Sequence, residues 1–520
     1  MRKTVIALAC VVIGLVVGCE DAQKPGPAEL RVQTAAEDLI GLLPSSALAA
    51  VELFGLGSRW DELRTIPPLA ALQDRVLGTL GLEADDVPAI AGPRMVLGLV
   101  ADEDSRRIVP LAVLDPLSPL DAMQCLSESD ALFAVEARGA LWAGPATQAR
   151  LVERIAAGDG TSLHQAVDLG ALAERLPAGG LVRAVLNPRA IAQWLRRWAE
   201  YQGTSPARAL AQLIAADMEA IEVAGFRRDI VDGGLVTDVW VGIDDEIVPD
   251  AIVQALAADR GPAVLPLQLP ADVVAAKAFR TESQAGLAWL RALAARDPNG
   301  PLRQLDFWID EFEARSGRDV ERDIIGALGE RGLALFLEGG EGDGLEWLAV
   351  IDARDPQRLE TALIDLRDWL GELIRGRTLG LARTHSQDEA LGTAHALNLW
   401  SPFGSFSGPA FQLADDHLVV ATSRRGLVLG LRLAGSAATW ATPDWALVGG
   451  PPDEVAVVRL NELFSILTAT RAIPLGRSDG LSAVAEFLAG TGDGRLRVDY
   501  SADGFRITGW LELDAGGLRR

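Results

Sequence analysis

Side chains that could carry chemistry are sparse in this chain, and their spacing fits no common catalytic pattern. None of the four histidines is in an HxH, HExxH or Cys/His arrangement: His164, His385, His395 and His417. The spacings that usually bind zinc are therefore absent. His385 and His395 flank a predicted turn that contains Asp388 and Glu389. These residues allow a surface metal site, although the pattern favours a solvated hairpin tip.

Two other patterns resemble catalytic sites, but the residues in each favour a structural role. Gly404-Ser405-Phe406-Ser407-Gly408 differs from a GxSxG nucleophile elbow because Phe406 occupies its centre. Carboxylates cluster along one stretch: Asp306, Asp310, Glu311, Glu313, Asp319, Glu321 and Asp323. They interleave with Phe307, Trp308 and Phe312, which is typical of an amphipathic helix with a solvated side. The sequence therefore predicts no catalytic residue, no metal ligand and no cofactor.

Aromatic residues supply the candidate binding surface. The chain has 13 Trp and only 2 Tyr. Trp194 and Trp198 are four residues apart, so they share one helix face. They form either an exposed platform for a ligand or peptide, or one side of a packed core. Phe403 and Phe406, in a loop of the second half, are added as a possible ligand or partner surface.

The N-terminus gives the clearest indication of location. Arg2 and Lys3 precede an apolar run from Thr4 to Val17, which is shorter than the roughly 20 residues that span a bilayer. The run ends in Leu-Val-Val-Gly-Cys, which resembles a bacterial lipobox and predicts lipidation of Cys19 through a thioether. The alternatives are an uncleaved anchor, or an ordinary secretory signal with a chance cysteine.

Composition agrees with a protein exported to the bacterial envelope. Residues 20–38 are polar and contain two prolines, as expected of a tether. The net charge of −24 disfavours binding to nucleic acid. After cleavage before Cys19, Cys125 is the only other cysteine, so no internal disulfide is expected; its apolar helical context favours a buried, inert thiol. The predicted membrane contact is the N-terminal lipid, with the chain facing the periplasm or the cell surface.

The order of predicted elements occurs twice along the chain. Each copy opens with a strand after a Leu-Pro pair, followed by a Trp-bearing helix and two further strands; these copies begin at Leu43 and Leu269. Each closes with a meander around Trp240 or Trp510, and Asp-Gly turns accompany both meanders. A period of roughly 230 residues is too long for a solenoid repeat and indicates two domains.

This duplication defines the predicted fold and its boundaries. The fold class is α+β, with two tandem homologous modules of antiparallel sheets and helices packed on one face of each. We expect a lipoprotein signal peptide at 1–18, a flexible tether at 19–38, a first module at 39–248, a connector at 249–265 and a second module at 266–515. The second copy has an extra segment between Gly371 and Gly408, in which we predict another hairpin.

One stretch carries a family resemblance. The residues RDVERDIIGALGERGLALFL (Arg318–Leu337), with the Leu-Pro strand opening and the Asp355-Pro356 helix start, resemble a bacterial envelope lipoprotein family known only as a domain of unknown function. The resemblance is clearest over Leu269–Leu370 and weaker over Leu43–Leu126. It implies tandem α+β modules and carries over no active-site residue.

These observations favour a non-enzymatic binding or scaffolding role in the envelope, with an envelope protein or a peptide as the partner. Two alternatives stay open. One is an envelope hydrolase whose site is assembled from scattered residues. The other is a carrier of an apolar ligand, which would need a large dry cavity.

Overall fold

The computed structural model describes residues 39–55, 83–102, 108–158, 161–176, 180, 182–201, 206–231, 234–258, 262–280, 283–296, 302, 304–339, 345–375, 382–385, 394–401, 404–406, 410–447, 450–460, 462–463, 466 and 491–513. The chain is an α+β protein in which helices accompany antiparallel sheet. It divides into two compact units between Ile247 and Val248. Unit 1 also takes in the chain from Asp503 onwards, and unit 2 takes in Arg495–Ala502.

The sheet of unit 1 is antiparallel. Its strands are β1 (Ala47–Phe54), β2 (Arg94–Ala101), β3 (Ile108–Asp115), β4 (Leu132–Ala137), β5 (Ala140–Pro145), β6 (Val182–Leu186), β7 (Ile221–Val231), β8 (Gly234–Ile243) and the last strand of the chain, β19 (Gly504–Leu513). They lie in the order β4, β5, β3, β2, β1, β6, β7, β8, β19. Sequence-distant strands therefore form the centre of this sheet.

Helices cover both faces of the unit 1 sheet. They are α1 (Val87–Ala91), α2 (Pro119–Ser127), α3 (Ala149–Ala156), α4 (Leu163–Ala166), α5 (Leu169–Arg175), α6 (Pro188–Tyr201) and α7 (Pro206–Glu219). Met95 and Leu97 pack in an apolar cluster with α1 and α2, whereas Val96, between them, packs in a second cluster with α3, α4 and α5. The prediction of helices on one face is wrong here, because consecutive apolar residues in a strand point to opposite faces and both must be buried.

The sheet of unit 2 is also antiparallel. Its strands are β9 (Val273–Arg280), β10 (Leu328–Glu338), β11 (Leu345–Ala353), β12 (Ala382–His385), β13 (His395–Ser401), β14 (Gly404–Phe406), β15 (Ala410–Ala414), β16 (His417–Ala421), β17 (Glu454–Arg459) and, from Arg495 onwards, β18 (Thr491–Ser501). Six of them lie in the order β15, β16, β11, β10, β9, β17. The predicted hairpin of the inserted segment is confirmed by the pairing of β12 with β13.

Helices again contribute to both faces of the sheet in unit 2. They are α8 (Asp250–Ala257), α9 (Ser283–Arg296), α10 (Leu305–Ser316), α11 (Pro356–Arg375) and α12 (Arg424–Gly435). Val419 packs with α12 in one cluster, and its neighbour Leu418 packs with α11 in another. A π-helical turn, Val320–Ile325, follows α10. Among the described residues, we find no helix with the length and apolar character needed to cross a bilayer.

Candidate functional site

The candidate site is a pocket of about 290 Å³ in unit 1, beside the first half of α6. Its volume is near the lower end of the range for small-molecule sites. Its described lining residues come from three separated segments and from α6 itself: Ser45, Ser46, Ala101, Gln165, Ala166, Asn187, Arg189, Ala190, Gln193, Trp194 and Arg197. We call it the α6 pocket.

Asn187 fixes the start of α6 against the segment that leads into β1. Its side chain is buried, and its Nδ2 donates a hydrogen bond to the Ser45 carbonyl oxygen at 2.8 Å. Its Oδ1 accepts from the Ala190 backbone N–H at 3.1 Å, as an N-cap side chain does. Pro188 in the first turn suits this start because proline lacks the N–H that a first turn leaves unpaired. One buried amide therefore sets the distance between two walls of the pocket.

The opposite wall is built by hydrogen bonds between the β1 lead-in and the start of α4. Ser45 Oγ and Thr161 Oγ1 are 2.5 Å apart, and the Ser45 N–H donates to the Thr161 carbonyl oxygen at 2.7 Å. Gln165 Oε1 accepts from the Ser162 N–H at 3.2 Å, which completes a capping box. The polar groups of this wall are thus held in place by the local backbone.

The α6 side of the pocket is positively charged. Arg189, Gln193 and Arg197 recur at intervals of four residues, so they lie along one face of the helix. No carboxylate is among the lining residues within the described part of the chain. The Arg189 side chain is 65% exposed, and Asp244 Oδ2 lies 3.7 Å from its Nη2. A cationic surface in a chain of net charge −24 indicates a local preference for anions.

The two tryptophans of the predicted platform have different surroundings in the structure. Their rings stack with centroids 6.5 Å apart and planes at 21°. Trp194 lines the α6 pocket, whereas Trp198 is 38% exposed and is not among the described lining residues. Phe403 lies outside the described residues, as does the side chain of Phe406 in β14. Cys19 also lies outside them. Of the predicted surface, Trp194 alone is placed at a described pocket.

The histidine prediction needs a correction. His395 is not at a solvated tip; its side chain is buried, and its ring stacks on Phe411 with centroids 5.0 Å apart. Arg367 donates to its Nδ1 at 3.0 Å, and Glu360 Oε1 lies 3.5 Å from its Nε2. The reason is that α11 packs on β12 and β13, so it covers the start of β13, where His395 lies.

The acidic stretch around α10 is used by the fold. Arg291 is paired with both Asp306 and Glu321, and Glu311 is paired with Arg315 one turn away. Glu313 accepts the Val320 N–H at 2.8 Å. The described residues contain no group of three or more His, Cys, Asp or Glu side chains that could hold a metal ion. The ion pairs of Asp306, Glu311 and Glu321 and the hydrogen bond of Glu313 give these carboxylates a structural role.

Cys125 is a free thiol on α2, partly rather than fully buried. Burial raises the pKa of this thiol, and the negative charge of Asp86 raises that pKa further. A raised pKa lowers the fraction of reactive thiolate at neutral pH. The structure thus supports an unreactive cysteine, in a less buried place than the sequence predicted.

Comparison of this chain with family models, with curated proteins and with solved structures gives no match. The case for a function therefore depends on the geometry of the α6 pocket and on the N-terminal sequence. Sequence reasoning missed Ser45 and Gln165 because each lies far along the chain from Trp194, and it did not connect Asn187, seven residues before Trp194, with a pocket. The available signal was Asn187 itself, an asparagine at the end of an apolar strand, since this residue type can cap the helix that follows.

Proposed function

We propose that this chain is a lipid-anchored protein of the bacterial cell envelope that binds a ligand in the α6 pocket without transforming it. The observation that carries the proposal is the convergence on one pocket of an indole ring, two arginines and several neutral polar groups. Such a set offers an apolar surface for the body of a ligand and hydrogen-bond donors that fix its orientation. Membership of the envelope lipoprotein family is part of this proposal and is supported by the resemblance over Leu269–Leu370.

Binding, rather than catalysis, fits the chemistry of the lining. Among the described lining residues there is no carboxylate, histidine or cysteine to act as a general base. Asn187 is held by two hydrogen bonds of its side chain and by one from its N–H to the Leu48 carbonyl oxygen. Ser45 Oγ is already within hydrogen-bond distance of Thr161. Fixed polar groups of this kind orient a ligand.

The two stacked tryptophans provide a matched test of the pocket. We expect Trp194→Ala to abolish the thermal stabilisation that a small-molecule panel gives the full mature chain, because this change removes the apolar wall. Trp198→Ala is the control, since it removes the stacking partner of Trp194 but no described lining group. Thermal unfolding with neutral, anionic and cationic compounds measures both. Stabilisation that persists in Trp194→Ala would contradict binding at this pocket. So would the absence of any compound that stabilises the unsubstituted chain.

The lipid anchor is tested by a second matched pair. We expect Cys19→Ser to abolish incorporation of labelled fatty acid into the chain in a bacterial host, because serine cannot form the thioether. Cys10→Ser, inside the apolar run, should leave labelling unchanged. Equal labelling of the two variants would mean that Cys19 is not the lipidated residue.

We include in the proposal that the two units descend from one duplicated module. The order β4, β5, β3, β2, β1, β6 in unit 1 is matched by β15, β16, β11, β10, β9, β17 in unit 2. Within unit 1, Asp238 of β8 faces Thr508 of β19, and these are equivalent positions when Trp240 is matched to Trp510. An experimental structure in which the two sets of strands fail to superpose would contradict common descent.

A further inference from the structure

We infer that the ligand of the α6 pocket is an extended organic molecule that carries an oxyanion, a carboxylate or a phosphate, at one end or at both. This inference depends on the proposed function, because it names the class of ligand for the same pocket. It is drawn from the spacing of the charged groups along α6 and from the contact that Arg189 makes.

The two arginines that line the pocket are widely spaced along α6. Arg189 and Arg197 are eight residues apart on one face of α6, so their Cα atoms are separated by about 12 Å along the helix axis. Gln193 lies halfway between them and offers an amide instead of a charge. An extended chain of about eight carbons, with an acidic group at each end, spans this distance.

The guanidinium group of an arginine is suited to binding an oxyanion. Its planar set of N–H donors matches the two oxygens of a carboxylate or a phosphate. The Asp244 carboxylate is 3.7 Å from Arg189 Nη2, which is beyond hydrogen-bond distance, so it leaves donors for a ligand. Arg189 thus combines positive charge, exposure and a position on the wall of the pocket.

A neighbouring arginine shows the contrasting arrangement. Arg196 Nη2 donates to Glu219 Oε2 at 2.6 Å, and Arg196 is not among the described lining residues. Arg196 thus contacts a carboxylate of α7, and Arg197, at the next position, is among the residues that line the pocket. Arg196 and Arg197 provide a pair with equal charge and nearly equal position, of which one alone lines the pocket.

The body of the ligand is expected to be apolar and slender. Trp194 supplies a ring face, and Ala101, Ala166 and Ala190 supply small apolar side chains around it. A volume of about 290 Å³ accommodates an aliphatic chain or a single planar ring. A hydrocarbon stem between two oxyanions uses the ring and both arginines at once.

The test is isothermal titration calorimetry of the full mature chain with a series of matched probes. Suberate is an eight-carbon dicarboxylate, 1,8-octanediol is its neutral analogue and 1,8-diaminooctane its cationic analogue. We expect suberate to bind and the other two probes to bind at least tenfold more weakly. 1,8-Octanediol bisphosphate is the fourth probe, and its affinity relative to suberate distinguishes a phosphate ligand from a carboxylate ligand.

Charge-reversal variants then locate the site. We expect Arg197→Glu and Arg189→Glu each to weaken suberate binding at least tenfold, while Arg196→Glu changes it less than twofold. Arg197→Gln and Arg189→Gln, which introduce no new charge, should weaken binding by a smaller factor and guard against misfolding of the reversed variants. An equal loss in Arg196→Glu would assign the effect to the net charge of the chain and overturn the inference.

The outcomes separate this inference from the proposed function. If 1,8-octanediol binds as tightly as suberate, and Trp194→Ala removes that binding, the pocket is a ligand site but its preference for anions is wrong. If none of the four probes binds, the inference is overturned, and the broader panel on Trp194→Ala decides the proposed function separately. Tighter binding of 1,8-diaminooctane would also overturn it.

Discussion

Glu52→Ala is expected to lower the free energy of unfolding of unit 1 by about 3 kcal/mol, because it removes the shared partner of two arginines. Glu52 is 0% exposed, at the centre of the sheet. Its Oε1 accepts from Arg94 Nε at 3.0 Å, and its Oε2 accepts from Arg183 Nε at 3.1 Å and from Arg183 Nη2 at 2.7 Å. Without the carboxylate, two like charges face each other across β1.

Two further variants separate charge from packing. Glu52→Gln keeps the size of the side chain and one acceptor oxygen, so we expect about half the loss seen with Ala. Replacing all three residues, as Glu52→Met with Arg94→Met and Arg183→Leu, should recover most of the stability, because a well-packed apolar set avoids the cost of desolvating three charges. Urea unfolding measures each variant, with hydrogen exchange of β1, β2 and β6 assigning the change to unit 1.

The control for Glu52 is an exposed ion pair. Glu330 pairs with Arg354, and both side chains are more than half exposed. Glu330→Ala should cost no more than about 0.5 kcal/mol, since solvent screens such a pair. A Glu52→Ala loss as small as this would mean that water or a rearranged side chain replaces the carboxylate.

The sequence predicted local features of the fold well. The apolar runs on either side of Arg138-Gly139 and of Asp415-Asp416 predict a hairpin turn at each pair. Both turns are confirmed, with φ values of 55° at Arg138, 74° at Gly139 and 52° at Asp415. Turns depend on a few adjacent residues, for which the chain carries direct signals. The order of the strands in the sheet has no comparable local signal, because neighbouring strands can be far apart in the sequence. Glu52 of β1, for example, is paired with Arg183 of β6, 131 residues later.

Glu52 shows why the central network was not predicted. Its partners are 42 and 131 residues away along the chain. Within β1, Glu52 is the single polar residue of an otherwise apolar strand, and a lone charged residue of this kind by itself suggests exposure. Only the pairing of β1 with β2 and β6 brings both arginines to it. Charged residues in an apolar strand can thus mark a buried network as well as a solvated edge.

The sequence predicted one residue of the candidate site, Trp194, and did not predict the residues around it. The spacing of Trp194 and Trp198 established a shared helix face, but nothing local indicated which ring lines a pocket. Trp194 lines a pocket because Ser45 and Gln165, from distant parts of the sequence, lie beside α6 in the folded protein. Binding sites assembled from separated segments require the fold before their members can be identified.

Asp323→Asn is expected to destabilise unit 2 by about 2 kcal/mol at neutral pH, and to do so less at acid pH. The Asp323 side chain is 5% exposed. It accepts from Arg322 Nε at 2.8 Å and Nη2 at 2.9 Å, and from the Asp319 N–H at 3.0 Å. Hydrogen bonds to an ionised group contribute more than neutral ones, and an amide cannot accept from all these donors at once.

The direction of the pH effect follows from the pKa of Asp323. The hydrogen bonds from Arg322, followed by that from the Asp319 N–H, hold this pKa well below its usual range. A carboxyl with a depressed pKa in the folded state stabilises the protein above the unfolded pKa of about 3.9 and loses this contribution as the pH falls towards the folded pKa. The difference between wild type and Asp323→Asn should therefore be largest at pH 7 and shrink below about pH 4.

Urea unfolding at pH 7, 4.5 and 3 measures this difference, and the exposed Asp310 of α10 supplies the control variant Asp310→Asn. The comparison between variants cancels the protonation of the many other carboxylates, because these titrate alike in both proteins. A difference that stays constant down to pH 3 would mean that Asp323 acts through the shape of its side chain in the π-helical turn. A difference that shrinks would show that its charge holds Arg322 and the Asp319 backbone against the end of α10.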